Sequence, residues 1–269
     1  MPGFGTMTAP QLLRLIGTPD APVLIDVRTD ADFALDPRLL PGARRVAHRA
    51  VTELAPWIGA RAAVVVCQRG RKLSEGAAAL LRTLGIRAEV LEGGWEAACA
   101  AALPAIPAEL LPGGGAGTVW VTRHRPKIDR IACPWLIRRF IDPGARFLFV
   151  APSEVPAVAE QFDATPFDIE GVRLTHRGDR CSFDAFLDDF GLHSPALDRL
   201  ALVVRGADTD RHDLAPQAAG LLALSVGLSR LYRDDLAQLD AALPLYDALY
   251  RWARDGMDEG HDWPQGRKA

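Results

Sequence analysis

Apolar positions along this chain change period several times, and the changes outline its elements. Residues 62–66 form a β-branched run with no polar face, the pattern of a strand covered on both sides. Beyond a short polar loop, Ala77, Ala78, Leu80, Leu81 and Leu84 recur at helical spacing, which predicts a helix from about Ser74 to Leu84 that Gly85 stops. Further on, residues 118–122 and 146–150 read as strands. Ile128, Ile131, Ala132, Trp135 and Leu136 form an amphipathic helical stripe, with Pro134 as a kink or a late start. Ser182 is the expected N-cap of a helix reaching Phe190, and residues 200–204 are apolar. Apolar stripes over about 216–232 and 235–254 predict two long closing helices, followed by a polar tail from Asp255 that should fray.

Between these halves, residues 103–117 carry three prolines and four glycines in fifteen positions. That composition predicts a linker without regular structure. With 269 residues, two domains are the natural prior. The boundaries fall at 1–102, 103–117 and 118–269, and the halves are expected to fold independently. Nothing repeats across them, so the second half is not a copy of the first.

The loop after the first strand carries the most explicit chemistry. Cys67 leaves the β-branched run and is followed by Gln68, Arg69, Gly70, Arg71 and Lys72 before the helix begins. A thiol just ahead of a helix N-terminus meets amide N–H groups that favour an anion. Arg69, Arg71 and Lys72 act in the same direction, so a lowered thiol pKa is expected. A purely structural cysteine would have no use for three nearby cations.

Over residues 8–102 the motifs resemble a rhodanese domain. Ile25-Asp26-Val27-Arg28, Asp32-Phe33, and Leu40-Pro41-Gly42-Ala43 match its first half. Cys67-x-x-Gly70-x-Lys72, Ala77-Ala78-x-Leu80, and Val90-Leu91-Glu92-Gly93-Gly94-Trp95 match its second. The resemblance implies a parallel α/β sheet flanked by helices and makes Cys67 a sulfur-accepting nucleophile that passes through a persulfide. Residues 68–72 would bind the substrate, and Asp26 and Arg28 would brace the loop. Two positions depart from the pattern. Lys72 stands where arginine is usual, which replaces a guanidinium fork with a point charge. Leu39-Leu40 stands where a histidine often precedes the Pro-Gly-Ala turn. Four residues separate Cys67 from Lys72, and the next position is Leu73. A phosphatase loop needs an arginine one position further on than Lys72, so sulfur transfer is favoured over phosphate hydrolysis.

The second half resembles the C-terminal domain of bacterial chromate-resistance proteins. Residues 122–141, His176-x-Gly178-x-x-Cys181-x-Phe183, and residues 204–209 carry the match. A second α/β (α+β) domain ending in long helices is expected. From Arg123 to Arg139 six Lys/Arg residues stand against the single acid Asp129. Two readings are open. Arg123, Lys127 and Arg130 could cradle a tetrahedral oxyanion, or the segment could be a solvated helix face laced with ion pairs. His176, Cys181, Cys133, Asp184 and Asp208 are metal-ligand types near loop or element ends, with His176 and Asp208 the weak candidates for a metal. No pair has tight ligand spacing, which favours buried cysteines and a loop-bracing histidine, and no cofactor is expected.

Composition narrows the remaining classes. A net charge of −3 argues against general electrostatic binding to nucleic acid or anionic membranes. With 49% hydrophobic and 24% charged residues the chain can bury true cores. No apolar run reaches the ~20 residues of a membrane helix. Cysteines 67, 99, 133 and 181 are widely spaced, without a CxxC pair, which fits a reducing cytoplasm. Cys99 reads as a helix-packing residue. The expected partners are a thiosulfate-like sulfur donor and a thiophilic acceptor. The alternative is a chromate- or sulfur-responsive regulator that binds DNA or a protein.

Overall fold

The computed structural model describes residues 5–111 and 117–260. The N-terminal half contains strands β1 (Thr6–Met7), β2 (Val23–Asp26), β3 (Arg38–Leu39), β4 (Arg44–Arg45), β5 (Ala63–Val66), β6 (Ala88–Leu91) and β7 (Ile106–Pro107). Its helices are α1 (Ala9–Leu15), α2 (Asp30–Leu35), α3 (Ala55–Ile58), α4 (Lys72–Thr83) and α5 (Gly94–Ala100). Five strands form a parallel sheet in the order β1-β6-β5-β2-β4. β2 and β5 are buried along their whole length; β5 is an unbroken apolar run, and β2 is apolar up to its last residue, Asp26. Helix α4 begins at Lys72, two residues before the expected start, because the loop turns into the helix immediately after Arg71.

The two faces of this sheet have different neighbours. Ile25, Val65 and Val90 pack with Ala77, Ala78 and Leu81 of α4. Leu24, Val64 and Leu91 belong to a larger cluster that continues through Trp95 and Ile106 into Trp120, Trp135, Phe140, Tyr246 and Tyr250 of the second half.

That half contains β8 (Val119–Arg123), β9 (Arg146–Val150) and β10 (Thr165–Pro166), a parallel sheet in the order β10-β8-β9. Its helices are α6 (Asp129–Leu136), α7 (Val155–Gln161), α8 (Ser182–Phe190), α9 (Pro195–Asp208), α10 (Ala218–Leu231) and α11 (Asp235–Asp255). Pro134 lies inside α6, whose last turn runs on into a π-helical segment over Ile137–Ile141. The apolar residues 200–204 are part of α9. Cys181, not Ser182, caps α8. α11 extends to Asp255, one residue past its expected end, and most of the expected tail, residues 261–269, lies outside the described residues.

The structure departs from the expectation of a structureless linker. β7 pairs antiparallel with β3, and Leu103 and Ile106 are buried. The glycine run at 112–116 lies outside the described residues. The halves also interlock. Gly17, at φ +78°, lies against the rings of Phe140 and Tyr250, and the Gly42 N–H donates to the Phe140 carbonyl at 2.9 Å. A shared apolar cluster of this extent replaces the picture of two independent cores.

Candidate active site

Cys67 follows β5 at the carboxyl end of the parallel sheet, where open α/β sheets form their ligand crevices. Its thiol is 4% exposed and lies at the floor of the loop that enters α4. The Arg71 N–H donates to Cys67 Sγ at 3.3 Å, and Ser74 Oγ lies 3.1 Å from the sulfur. Burial pushes the thiol pKa up. Hydrogen bonds from the Ser74 hydroxyl and from the Arg71, Ser74 and Arg69 amides outweigh it and leave the pKa below its ordinary value.

The cause differs from the sequence-based one, because hydrogen bonds rather than cation charges lower this pKa. The Arg69 side chain is turned to Glu96, 3.1 Å away, and Gln68 Nε2 reaches the same carboxylate at 3.4 Å. The Arg71 and Lys72 side chains have no acidic partner within ion-pair distance among the described residues. Both are exposed beside the loop, available to an anion arriving from solvent.

Two glycines give the loop its shape. At Gly70 (φ +62°) a Cβ would collide with the Leu91 carbonyl and the Gly93 and Gly94 amides. At Gly94 (φ +60°) it would strike the Cys67 carbonyl and the Gly70 amide. The Trp95 N–H donates to the Cys67 carbonyl at 2.9 Å and the Glu96 N–H to that of Gln68 at 3.1 Å, so the start of α5 holds the loop from below. The role of Gly94 was not assigned from sequence; the Gly93-Gly94 pair directly after a strand was the available signal.

Asp26 and Arg28 brace the neighbouring turn and are both buried. Asp26 accepts from the Arg28 backbone N–H at 2.8 Å and from its guanidinium at 2.8 Å. The same guanidinium donates to the carbonyls of Asp36 and Arg38 and stacks 4.0 Å over Trp95. This rigid plug links the end of β2 to the residue that follows Gly94.

In the second half, the structure gives Arg123 and Arg130 a shared acid. Arg123 Nη2 lies 2.8 Å and Arg130 Nε 3.2 Å from Asp168 Oδ2. The other arginines of the basic segment are also bonded. Arg125 donates to the carbonyls of Ser229 and Tyr232, Arg138 pairs with Asp240 at 3.0 Å, and Arg139 grips Asp247 through two bonds of 2.8 Å. Of the three residues expected to cradle an oxyanion, only Lys127 lacks a side-chain partner among the described residues. The cations therefore fasten β8 and α6 to α10 and α11, and the geometry agrees with the ion-pair alternative.

The unexpected feature is what surrounds His176. Its Nε2 lies 3.2 Å from Asp129 Oδ2, 3.1 Å from Asp208 Oδ2 and 3.5 Å from Asp168 Oδ1. Four separate stretches of chain supply these groups: α6, the loop after β10, the loop before α8 and the end of α9. Ile128, at φ +42°, is held by Ser225 Oγ and Tyr246 Oη and sets the direction of Asp129. Such a β-branched residue in the left-handed region is strained. The sequence named His176 and Asp208 as weak metal-ligand candidates, but spacing could not join them to Asp129 and Asp168, because the members are up to 79 positions apart, from Asp129 to Asp208.

The fold of the first half, with its thiol-bearing loop at the carboxyl end of a parallel sheet, defines the class: an α/β domain of rhodanese type. Family models give the particular composition, with a rhodanese-like domain matching residues 8–101 and the ChrB C-terminal domain matching residues 120–253. The chain thus carries both domains. It is 39% identical over 135 residues to protein ChrB of Cupriavidus metallidurans, a stretch covering 50% of this chain and 40% of that protein. Among solved structures, a thiosulfate sulfurtransferase from Pseudomonas aeruginosa is 28% identical, with a TM-score of 0.32, over 39% of this chain and 19% of that one. A rhodanese-like domain protein from Staphylococcus aureus is 23% identical, with a TM-score of 0.31, over 36% of this chain and 91% of that one. No helix among the described residues is long and apolar enough to cross a membrane.

Proposed function

We propose that the chain is a rhodanese-type sulfurtransferase whose Cys67 carries sulfur as a persulfide. The Cys67 thiolate attacks the outer sulfur of a thiosulfate-like donor. The donor's S–S bond breaks, sulfite departs with the bonding pair, and the outer sulfur stays on Cys67. A thiophilic acceptor, such as a thiol or cyanide, then takes that sulfur and regenerates the thiolate. The loop amides and Ser74 stabilise the anionic sulfur in both states, and Arg71 and Lys72 attract the donor's anionic end. Asp26 and Arg28 are positioning residues. The second half links this chemistry to resistance against chromate or a related oxyanion in the cytoplasm.

The observation that carries this reading is the Cys67 sulfur, which accepts the Arg71 N–H and has the Ser74 hydroxyl 3.1 Å away at the N-terminus of α4. Mass spectrometry of the intact protein after thiosulfate treatment tests it: a gain of one sulfur, absent in Cys67→Ser, is expected. Persistent thiosulfate:cyanide activity in Cys67→Ser, with Cys99→Ser inactive, would overturn it. A second reading, in which the sulfur state of Cys67 controls a regulator, draws on the apolar cluster that joins the halves. A salt-dependent shift of operator DNA that changes with persulfidation would favour it.

A further inference from the structure

Asp129 and Asp208 have an unusual charge environment. Asp129 is buried and the Asp208 side chain is 15% exposed, yet neither meets an arginine or lysine within ion-pair distance among the described residues. Their shared cation is the His176 imidazole, whose side chain is 42% exposed. Asp168 does meet arginines, but Arg123 and Arg130 both take its Oδ2. Its Oδ1 is left facing the Ser182 hydroxyl at 2.7 Å and His176 Nε2 at 3.5 Å. Two sparsely compensated carboxylates therefore converge on one imidazole, with a third oxygen alongside. Such an arrangement suits a cation of higher charge than a proton.

The spacing fits the same conclusion. Donor atoms of Asp129, His176 and Asp208 all lie within 4.8 Å of one another, and the imidazole-to-carboxylate separations are 3.1 and 3.2 Å. Metal–ligand bonds of about 2.1 Å place adjacent donors roughly 3.0–3.4 Å apart in octahedral or tetrahedral shells. Little movement is needed to seat an ion among them.

A second observation comes from the strand that leads into the cluster. Thr122 is fully buried, and its hydroxyl oxygen has no hydrogen-bond partner among the described residues. Strand alternation places Thr122 on the face of β8 that carries Trp120, which packs against Phe167 and Phe186. Thr122 directly precedes Arg123, whose guanidinium holds Asp168 at 2.8 Å, so this unpaired hydroxyl belongs to the strand that borders the cluster. A buried hydroxyl left unpaired is costly, and it marks a polar position that a ligand's hydration shell can satisfy. Access is available: a cavity of about 370 Å³ lined by Arg123, Asp168, Glu170, Thr175 and His176 opens beside the ring.

We propose that Asp129, His176 and Asp208, with Asp168 Oδ1 as a fourth donor, form a binding site for one divalent first-row transition metal ion. The donor set of carboxylate oxygens and one imidazole nitrogen favours Mn²⁺, Fe²⁺ or Zn²⁺ over a thiophilic ion. Arg123 and Arg130 fix Asp168 from outside and act as positioning residues. The site is separate from Cys67 and contains no thiol ligand.

The test uses the full chain, freed of metal with EDTA and titrated with Mn²⁺ or Zn²⁺ by equilibrium dialysis with elemental analysis. One Mn²⁺ or Zn²⁺ per chain is expected for the parent and for Cys67→Ser, with a rise in Tm because the ion binds only the folded state. Asp208→Asn and His176→Gln should each weaken binding at least tenfold while keeping the native far-ultraviolet circular dichroism. Should Asp208→Asn fail to fold, His176→Gln carries the comparison, since its half-exposed ring bears little packing. Failure of the parent to retain either ion, or equal affinity in the folded variants, would overturn the site. Loss of binding in Cys67→Ser alone would overturn it too, by assigning the ion to the thiol.

Discussion

Ser74 Oγ sits 3.1 Å from Cys67 Sγ and 3.0 Å from the Arg71 carbonyl oxygen, so its single proton has two acceptors. A neutral thiol leaves that proton on the carbonyl, whereas a thiolate draws it to sulfur. Ser74→Ala should therefore slow iodoacetamide alkylation of Cys67 near neutral pH and move the titration midpoint upward. A hydrogen bond to a charged group is worth roughly 1.5–3 kcal/mol, about tenfold or more in thiolate population. An unchanged midpoint would remove Ser74 from thiolate stabilisation.

Lys72→Ala should behave differently. Lys72 is exposed beside the loop, while hydrogen bonds do the lowering at Cys67. The alkylation midpoint should stay close to the parent value while the KM for thiosulfate rises several-fold. Lys72→Arg should keep or improve KM, because a guanidinium grips an oxyanion in two places. Steady-state kinetics beside the alkylation titration separates the two effects.

Gly94→Ala should abolish sulfur transfer without unfolding the chain. The added Cβ meets the Cys67 carbonyl and the Gly70 amide, both backbone groups that cannot rotate away. The loop must open, and the Arg71 N–H is then no longer aimed at sulfur. Activity above a tenth of the parent would show that the loop tolerates the shift.

Gly17→Ala tests the interlock between the halves. Its Cβ would collide with Phe140 and approach Tyr250 to 2.9 Å, at a φ of +78° that side chains avoid. Overpacking of 1–3 kcal/mol and about 1 kcal/mol of backbone strain should lower Tm by several degrees. Calorimetry should show one transition in the parent and a split or broadened one in the variant. Two separate transitions in the parent would mean that the shared apolar cluster does not couple the halves.

Around His176 the sign of the pH dependence is fixed. A hydrogen bond to Asp129, with burial opposing it, raises the imidazole from 6.5 to about 9. Its stabilising contribution is complete below pH 6.5 and is lost as pH rises through about 9. Burial and the Asp129 charge raise Asp208 from 3.8 to about 8, so its ionisation also disfavours the fold as pH rises. In EDTA, Tm should fall between pH 6.5 and 9, by a few degrees once solvent screening of the half-exposed ring is allowed for. His176→Gln should flatten that slope; an identical slope in the variant would show that the ring does not hold the proton.

Much of the first half was legible because its signals are local. The β-branched run before Cys67, the glycine in its loop and the apolar stripe of α4 lie within eighteen consecutive positions, from Val64 to Leu81. The strand-loop-helix unit and the place of the thiol follow from them. The bracing role of Asp26 and Arg28 came from the family resemblance and not from their spacing. Charge was harder to interpret. Arg69, Arg71 and Lys72 suggested Coulombic stabilisation, but Glu96, from a later helix, takes Arg69, and an unassigned serine approaches the sulfur.

Sequence alone was enough for the parallel α/β character of the first half, the placement of Cys67 between a strand and a helix, the helical end of the chain and the family resemblance of both halves. Each depends on periodicity or on motifs that span a few turns of chain. Packing in three dimensions decided what the basic segment of residues 123–139 does, because its acids Asp168, Asp240 and Asp247 lie 29 to 108 positions beyond its end. It also decided that residues 103–111 dock, through pairing of β7 with β3, and that Gly17 meets Phe140 across the halves. The convergence of Asp129, Asp168, His176 and Asp208 belongs to the same class. Hydrogen bonds and ion pairs act over about 3 Å in space whatever the separation along the chain, and only the packed apolar cluster sets which distant residues come that close.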